Sequence, residues 1–440
     1  MALSPTERAL RALVKDYQSL NASTCAELSH TPSALEFHRF VAANRPVVIR
    51  GQGKRDQVRA LERWSDGYLE EKMGGKEVAI SVSPDGSVRL ALAHGCVYLR
   101  ARAVDYSNAD AVVDGVFAEP ATVRMSLSAL FSRLAAEQAL ADPPSSTEPV
   151  YYLQSQNGNL ADEYLPLLED VGLDGPAWAR EAFGASSFST PFDRPRGISD
   201  QAQESPAGEA PEVANIWIGG SRSKTSTPRG RTKHNHKKTD PYENLYLVLR
   251  GSKTFTLLPP SEAYCVHERL YPHAAYAYAD ADSPPSPADA PAPDGPASEP
   301  RGASRGAFSL VRTTPARLVP WIALDPTTPA AREEAAAAGE GAYPRYALAR
   351  PMTVTLEAGD VLYLPALWYH HVTQVPGWGP RRAGAVEGEG EGVKAAIAVN
   401  WWTDMKYEGV GYSMARLVRR LVLGLDGREG EEEEEDEGEP

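Results

Sequence analysis

Two stretches of the sequence bring together side chains that could bind a metal ion. TKHNHKKTDPYENLY, residues 232–246, carries two histidines and an aspartate among lysines, and DVLYLPALWYHHV, residues 360–372, ends in two adjacent histidines. Imidazole nitrogens and carboxylate oxygens are common ligands of iron and zinc. However, the first stretch would also suit a basic surface loop, and an adjacent histidine pair is often purely structural. Spacing and surroundings must decide between these interpretations.

Strand geometry limits which side chains of the first stretch can reach one ion. Residues two apart on a strand share a face and lie about 7 Å apart, whereas residues four apart lie about 13 Å apart. His236 and Asp240 are four apart, with Lys238 between them. They can meet at one ion only if the chain bulges or turns between them. His234 and His236 have the closer spacing but lack a well-placed carboxylate.

The elements that would position these residues are β-strands from about residue 213 onward. Short apolar runs alternate there with Gly and Pro: VANIWIGG, YENLYLVLRG, SKTFTLLPP, MTVTLEAGDVLYLP and KAAIAVNWW. This pattern predicts an antiparallel sandwich or barrel rather than βαβ units. Because successive strand residues face opposite sides, one of His370 and His371 can face an interior while the other packs behind the strand.

Helices are predicted on either side of this strand-rich part. SPTERALRALVKDYQSL and SALEFHRFVAAN combine a capping serine with helical periodicity, which predicts helices over about 5–20 and up to about residue 44. ALERWSDGYLEEKMG is predicted to be helical, RMSLSALFSRLAAEQAL predicts a helix over about 126–140, and GYSMARLVRRLVLGL predicts a terminal helix over about 411–425. RPVVIRG and PVYYLQSQNG predict strands, and EVAISVSPDGSVRL predicts a hairpin.

Composition and charge exclude several classes of protein. With 440 residues, 42% of them hydrophobic, the chain can bury a large core. No apolar run approaches the ~20 residues of a membrane span, and we expect no signal peptide. Cys25, Cys96 and Cys265 are far apart and odd in number, which argues against disulfides and thiolate zinc sites. They suit a reducing compartment, the cytoplasm or the nucleus. The net charge of −14 comes largely from an acidic tail, and the absence of a basic, aromatic stripe argues against nucleic-acid binding.

Composition also predicts the organisation of the chain. We expect a helical and hairpin region over residues 1–150, a strand-rich domain over 151–410, a C-terminal helix over 411–426 and an acidic disordered tail over 427–440. Within the strand-rich domain, the Pro-, Ala- and Ser-rich segment 279–306 is predicted to be a disordered insertion. The Ala- and Glu-rich segment 329–342 is predicted to be a disordered insertion, a short helix or a loop, and the Gly- and Glu-rich segment 384–394 a flexible hairpin insertion.

Several blocks of sequence, in order, resemble the Jumonji-C (JmjC) oxygenases of the cupin-like group. These blocks are RPVVIRG, YYLQSQNGNL, NIWIGGSRSKTS, DPYENLYLVLRGSKTFTLLPP, LEAGDVLYLPALWYHHVTQ and AIAVNWW. The resemblance spans roughly residues 5–420 apart from the insertions. It implies an α+β fold with a double-stranded β-helix, a jelly-roll barrel flanked by N-terminal and C-terminal helices.

The resemblance also implies Fe(II), with 2-oxoglutarate and O₂ as cosubstrates. In this family two histidines and one carboxylate hold the iron and leave positions open for the cosubstrates. Carried over, Asp240 and His370 are iron ligands. The family pattern before PYENLY is His-x-Asp, but Lys238 stands where the second histidine belongs, and His236 is the nearest histidine. Three explanations stay open: a bulge that returns His236 to the site, a gene-model error, or a broken site in an inactive protein.

Residues that would bind 2-oxoglutarate follow from the same resemblance. Lys253 lies thirteen residues after the aspartate, the family's separation, and would pair with the distal carboxylate of the cosubstrate. Tyr152 and Thr225 match residues that hydrogen-bond the same carboxylate, and Asn244 and Asn400 match residues near its other end. Beyond these binding residues and the metal ligands, no further catalytic side chain is predicted.

The most specific function implied is Fe(II)- and 2-oxoglutarate-dependent hydroxylation of a lysyl side chain on a protein substrate. A histone demethylase is less well supported, because no chromatin-reader segment or basic face is visible. The alternatives are a catalytically inactive JmjC or cupin-like binding module, which Lys238 favours, and a non-oxygenase cupin, against which Lys253 argues. The apolar stripe of the terminal helix would suit a homodimer, or packing on the chain's own barrel.

Overall fold

The computed structural model describes most of the chain in segments. They are residues 3–84, 111–113, 115–140, 148–154, 159–172, 175–185, 213–223, 242–279, 307–324, 326, 343–380, 392–405, 407 and 410–428. The predicted insertions 279–306, 329–342 and 384–394 and the acidic tail lie mostly or wholly outside these residues, as does the second arm of the predicted hairpin.

Nine α-helices occur in the described residues. They are α1 (Pro5–Leu20), α2 (Ala34–Ala42), α3 (Gln52–Arg55), α4 (Ala60–Arg63), α5 (Asp66–Met73), α6 (Leu127–Gln138), α7 (Leu165–Val171), α8 (Ala177–Ala185) and α9 (Val410–Leu425). Four of them begin after a serine whose hydroxyl accepts a hydrogen bond from the backbone three residues on, at 3.0–3.4 Å: Ser4, Ser33, Ser65 and Ser126. Each such cap stabilises a helix start by about 1 kcal/mol.

The stretch ALERWSDGYLEEKMG, predicted to be helical, forms two helices, α4 and α5. The break falls at Trp64, whose backbone leaves the helical region, and Ser65 caps the next helix. The Trp64 indole N–H donates to the buried Asp170 carboxylate at 3.2 Å, and the Tyr68 hydroxyl donates to it at 2.6 Å. The break therefore combines a local cap at Ser65 with hydrogen bonds that hold both helices on Asp170.

Seventeen strands in the described residues form three sheets. They are β1 (Ala26–Leu28), β2 (Val47–Ile49), β3 (Val78–Ser83), β4 (Ala111–Val113), β5 (Val116–Glu119), β6 (Ala121–Met125), β7 (Val150–Gln154), β8 (Val213–Gly219), β9 (Tyr242–Arg250), β10 (Ser252–Leu258), β11 (Arg269–Ala279), β12 (Ala307–Arg312), β13 (Leu318–Trp321), β14 (Met352–Glu357), β15 (Val361–Leu364), β16 (Tyr369–Val375) and β17 (Ala396–Asp404).

The strand order defines a large sheet and a small sheet that face each other. The large sheet has the order β1-β2-β15-β9-β17-β8-β7-β3-β6, and the small sheet has the order β14-β10-β16. A third sheet, β12-β11-β5-β4 with β13 on β11, lies beside them. Only β1–β2 and β5–β11 pair in parallel among the described strands. The fold is thus the predicted α+β jelly roll, although these sheets do not close into a barrel.

Alternation along the strands divides the core into layers. Side chains from both facing sheets, among them Trp217, Tyr246, Phe255 and Val372, form one buried cluster between the sheets. The opposite face of the large sheet packs against α2 and α4–α8 in a second cluster. The back of the small sheet packs against α1 and α9 in a third. Each fully buried aliphatic or aromatic side chain contributes roughly 1.5–3 kcal/mol.

Strands from the first 150 residues are part of the large sheet. β2 pairs with β15, and β3 pairs with β6 on one edge and with β7 on the other. Both edges of β3 are therefore occupied by strands distant in sequence, rather than by a local hairpin partner. None of the helices in the described part of the chain is long and apolar enough to cross a membrane.

The C-terminal helix α9 has two apolar faces. Val418, Val422 and Leu423 are buried against the chain's own core. Four other apolar residues, spaced along one helical face, are 37–72% exposed: Val410, Met414, Leu417 and Leu421. The inward face thus packs on the chain's own core, which is one of the two arrangements expected from the sequence. The exposed stripe leaves apolar surface that a second copy of the chain could cover.

We predict that the exposed stripe of α9 mediates a homodimer. Wild-type protein should sediment with twice the chain mass of 47.6 kDa, because pairing removes the stripe from water. The double variant Met414→Glu/Leu417→Glu should sediment as a monomer, whereas Leu35→Glu, at an exposed leucine of α2, should not change the mass. A monomeric wild type at micromolar concentration would contradict the prediction.

Candidate active site

Polar side chains converge on the inner faces of the two facing sheets. Tyr152 lies on β7, Asn244 on β9, Lys253 on β10, His370 on β16 and Asn400 on β17, and all five are buried. Each occupies a position in register with the residues of the inter-sheet cluster, so each faces the same interior. The structure thus brings together five of the eight residues predicted for the site.

The histidine pair is divided between the two faces of β16. His370 lies directly opposite the inward-facing Leu257 of β10 and therefore shares the inner face. His371 lies opposite Thr256, faces the other side, and is fully buried. The first histidine of the pair is consequently the one that faces the space between the sheets.

The hydrogen bonding of His370 sets its tautomer. Its Nδ1 lies 3.3 Å from the Trp368 carbonyl oxygen, and because a carbonyl only accepts, Nδ1 must carry the proton. Nε2 then holds the lone pair, which is the arrangement of a histidine ready to bind a metal ion. Burial lowers the pKa of His370 to about 4, so the ring is neutral near pH 7, as a ligand must be.

Lys253 is buried without an anionic partner among the described residues. It is 1% exposed, and its Nζ lies 3.3 Å from the Tyr152 hydroxyl. The same Nζ lies 5.6 Å from the centre of the Tyr152 ring and 5.7 Å from that of Tyr246. Desolvation lowers the pKa of Lys253 to about 7. An anionic group bound next to this buried amine would therefore stabilise its charged form.

The register of β10 and β16 places Lys253 and His370 apart on one face. Lys253 pairs with Gln374, and Leu257 pairs with His370. Four residues along paired strands correspond to about 13 Å between Cα atoms. An extended lysine side chain and a five-carbon dicarboxylate can together bridge that gap to a metal ion at His370.

A close approach of three chain segments shapes the lysine end of the site. A Cβ on Gly219 would lie 2.5 Å from the Tyr152 ring, 2.7 Å from Gln374 Nε2 and 2.8 Å from Ser223 Oγ. Gln374 in turn donates from Nε2 to the Gly220 carbonyl oxygen at 2.8 Å. Only glycine at position 219 leaves room for Tyr152 to stand beside the lysine.

Two asparagines and a tryptophan form a hydrogen-bonded row across the large sheet. Asn400 Nδ2 donates to Asn244 Oδ1 at 3.0 Å, and the Trp217 indole N–H donates to Asn400 Oδ1 at 2.8 Å. These bonds connect β8, β17 and β9, which are adjacent in the sheet. The two asparagines are thus held together on the inner face.

The remaining predicted site residues, Thr225, His236 and Asp240, lie outside the described residues. Within the described part of the chain no group of three metal-binding side chains occurs. The roles predicted for these three residues remain predictions, as do the binding roles of the five residues on the inner faces.

Residues 32–409 match the cupin-like domain family, which fits the facing sheets and their buried polar residues. The chain belongs to this cupin-like JmjC family. It is 29% identical over 426 residues to the human "Bifunctional peptidase and (3S)-lysyl hydroxylase JMJD7", covering 95% of this chain and 98% of that protein. It is 30% identical over 401 residues to the "Lysine-specific demethylase JMJ32" of Arabidopsis thaliana, covering 89% and 84% respectively.

A third relative extends the comparison. The "JmjC domain-containing protein E" of Dictyostelium discoideum is 28% identical over 392 residues, covering 89% of this chain and 87% of that protein. JmjC enzymes generally use Fe(II), 2-oxoglutarate and O₂. The described residues fit these groups, because Lys253 offers a buried cation for a carboxylate and His370 offers an unprotonated nitrogen for a metal.

Sequence reasoning missed two polar residues of the inner faces, Trp217 and Gln374. Gln374 lies on the same face of β16 as His370, two strand periods further on, and this alternation is the signal that could have found it. Trp217 stands inside the block NIWIGG, but only the pairing of β8 with β17 brings it to Asn400.

We predict that Lys253→Met stabilises the ligand-free protein at pH 7, by roughly 1–3 kcal/mol, because a buried amine short of partners is removed. The folded-state pKa of Lys253, about 7, is below the unfolded value of about 10.4. Wild-type stability therefore falls as the pH drops from about 10 to about 7. The advantage of the methionine variant should grow over that window and level off below it.

Urea unfolding at several pH values measures this difference, with Lys15→Met, at an exposed lysine of α1, as the control. Addition of 2-oxoglutarate with Mn(II) should stabilise the wild type and not the Lys253→Met protein. A methionine variant that is less stable than the wild type at pH 7 would show that other interactions already offset the cost of burying the Lys253 amine.

Proposed function

We propose that the chain is an Fe(II)- and 2-oxoglutarate-dependent oxygenase that hydroxylates a lysyl side chain of a protein substrate. The observation that carries this proposal is the buried Lys253, without an anionic partner among the described residues, on the same inner face as His370. A purely structural interior would gain stability from an apolar residue at this position. A carboxylate ligand gives the lysine its missing partner.

The reaction proposed is the general one of the class. Iron bound at the site would supply the oxidising chemistry by which 2-oxoglutarate, O₂ and a C–H bond become succinate, CO₂ and a C–OH group. One oxygen atom enters succinate and the other enters the product, so no further reductant is needed. The protein's task is to position these groups and keep water away from them.

The chain's own residues divide this task. Lys253 and the Tyr152 hydroxyl would hold the distal carboxylate of 2-oxoglutarate, with Thr225 as a further predicted donor. His370 would bind the metal through Nε2, which the hydrogen bond from Nδ1 to the Trp368 carbonyl leaves free. The aromatic rings of Tyr246 and Phe255, 5.0 Å apart, would exclude water and strengthen the ion pair at Lys253.

The lysyl substrate is supported by two of the relatives. One is named as a lysyl hydroxylase and another as a lysine-specific demethylase, so both names concern lysine. Hydroxylation is proposed over demethylation because no chromatin-reader segment or basic stripe is visible in the sequence. Demethylation is the alternative product of the same chemistry, because hydroxylation of an N-methyl carbon releases that carbon as formaldehyde. The substrate partner is a protein, and a cytoplasmic or nuclear setting is the matching expectation.

We predict that the purified protein, supplied with Fe(II) and O₂, converts 2-oxoglutarate to succinate. Lysyl residues of substrate proteins incubated with it should each gain the mass of one oxygen atom. Lys253→Ala should raise the 2-oxoglutarate requirement roughly ten- to a hundredfold, because a charge-assisted bond contributes on the order of 1.5–3 kcal/mol. Succinate assays and mass spectrometry measure both effects, with Lys15→Ala as the control.

The reaction products distinguish lysyl hydroxylation from demethylation and from an inactive binding module. Formaldehyde release from methylated lysines would favour demethylation. An unchanged 2-oxoglutarate requirement in an active Lys253→Ala protein would remove the lysine from the site. Complete absence of succinate would favour the inactive binding module.

The metal ligands are proposed to be His236, Asp240 and His370, with a bulge between the first two. We predict that replacing any one of them by alanine weakens Mn(II) binding more than about tenfold, because each supplies one of three protein ligands. Anaerobic isothermal titration measures this, and His234→Ala is the control. If His234→Ala weakens binding and His236→Ala does not, the ligand assignment is wrong. If the wild type binds no metal, Lys238 has replaced a ligand.

A further inference from the structure

The row Trp217–Asn400–Asn244 fixes the orientation of two side-chain amides. An asparagine amide can turn over and exchange its oxygen and nitrogen at little steric cost, so its orientation follows from its hydrogen-bond partners. Here three consecutive partners are known, with distances of 2.8 Å and 3.0 Å between them. The orientations of both amides can therefore be deduced by starting from one end of the row.

Trp217 is the end of the row from which both amide orientations follow. An indole N–H only donates, so the atom of Asn400 that faces it must be Oδ1. The other end of the Asn400 amide, Nδ2, then faces Asn244 and donates to it. The atom of Asn244 that accepts must be Oδ1. One indole N–H consequently determines the orientation of both asparagines.

The last member of the row presents hydrogen-bond donors. With Oδ1 of Asn244 turned towards Asn400, its Nδ2 group is directed away from the row, and no described residue accepts a hydrogen bond from it. Asn244 is 7% exposed, whereas Asn400 is 1% exposed. Asn244 is therefore the asparagine that a ligand between the sheets can reach, and Asn400 transmits the orientation.

We propose that Trp217 is a positioning residue that makes Asn244 a hydrogen-bond donor to an anionic oxygen of the ligand bound between the sheets. This inference rests on the proposed function for the identity of that ligand, the dicarboxylate 2-oxoglutarate. Asn400 is the internal relay between the indole and the donor. None of the three side chains is proposed to take part in the reaction itself.

Loss of the Trp217 indole N–H would let Asn244 present an acceptor to the ligand instead of a donor. Without it, Asn400 and Asn244 can both turn over together, and Asn244 then presents Oδ1 to the ligand. A carbonyl oxygen beside a carboxylate or keto oxygen is repulsive and leaves an acceptor without a donor. Trp217→Phe keeps an aromatic ring in the inter-sheet cluster and removes the N–H.

The test is the affinity of the Mn(II)-loaded full chain for 2-oxoglutarate, measured anaerobically by isothermal titration. Trp217→Phe and Asn244→Ala should each weaken binding roughly tenfold, in keeping with a hydrogen bond to a charged group. The matched control is Trp401→Phe, on the outer face of β17. It also loses an indole N–H, one that donates to the Gly172 carbonyl at 3.0 Å, and it should bind like the wild type.

A double-mutant cycle separates positioning from a general loss of structure. If the tryptophan acts through Asn244, the double variant Trp217→Phe/Asn244→Ala should bind no more weakly than Asn244→Ala alone. Additive effects, or unchanged binding in Trp217→Phe, would overturn the inference while leaving the proposed function in place. Failure of the wild type to bind 2-oxoglutarate would overturn both. Thermal melting of each variant checks that it is folded.

Discussion

The packing of the two facing sheets buries the amine of Lys253. Lys253 is 1% exposed between two sheets, with a hydroxyl and two aromatic rings as its partners. Burying a charged amine is costly unless an anion accompanies it, and the lowered pKa expresses that cost. The ligand-free fold therefore holds an unfavourable group that a carboxylate would stabilise. This constraint links the stability of the jelly roll to occupation of its centre.

Alternation along the strands makes such an interior possible. The faces turned outward pack against helices, and this packing supplies apolar burial independently of the site. The inner faces can then carry polar groups in a few register positions, with aromatic rings between them. Glycine at position 219 and the tryptophan–asparagine row show how closely neighbouring strands constrain these groups. Binding strength in such a site depends on donors held in place before the ligand arrives.

Much of the fold was predictable from local pattern. The capping serines fixed the starts of several helices, and apolar alternation identified β7–β10 and β14–β17. Prediction failed where distant contacts decide. Strands β11–β13 were missed, because β11 and β13 contain proline, which is unfavourable within strands, and because the three strands pair with each other and with the distant β5.

The sequence by itself determined the family, the choice of His370 over its neighbour through the family pattern, and the presence of Lys253 at its characteristic spacing. These follow from residue types and from separations along the chain, which a single sequence shows. Only the tertiary structure decided that Lys253 is buried without an anionic partner among the described residues. It also decided that Trp217 orients Asn400. Burial and hydrogen-bond direction depend on which strands become neighbours, and strand pairing over long separations leaves no local signal in the chain.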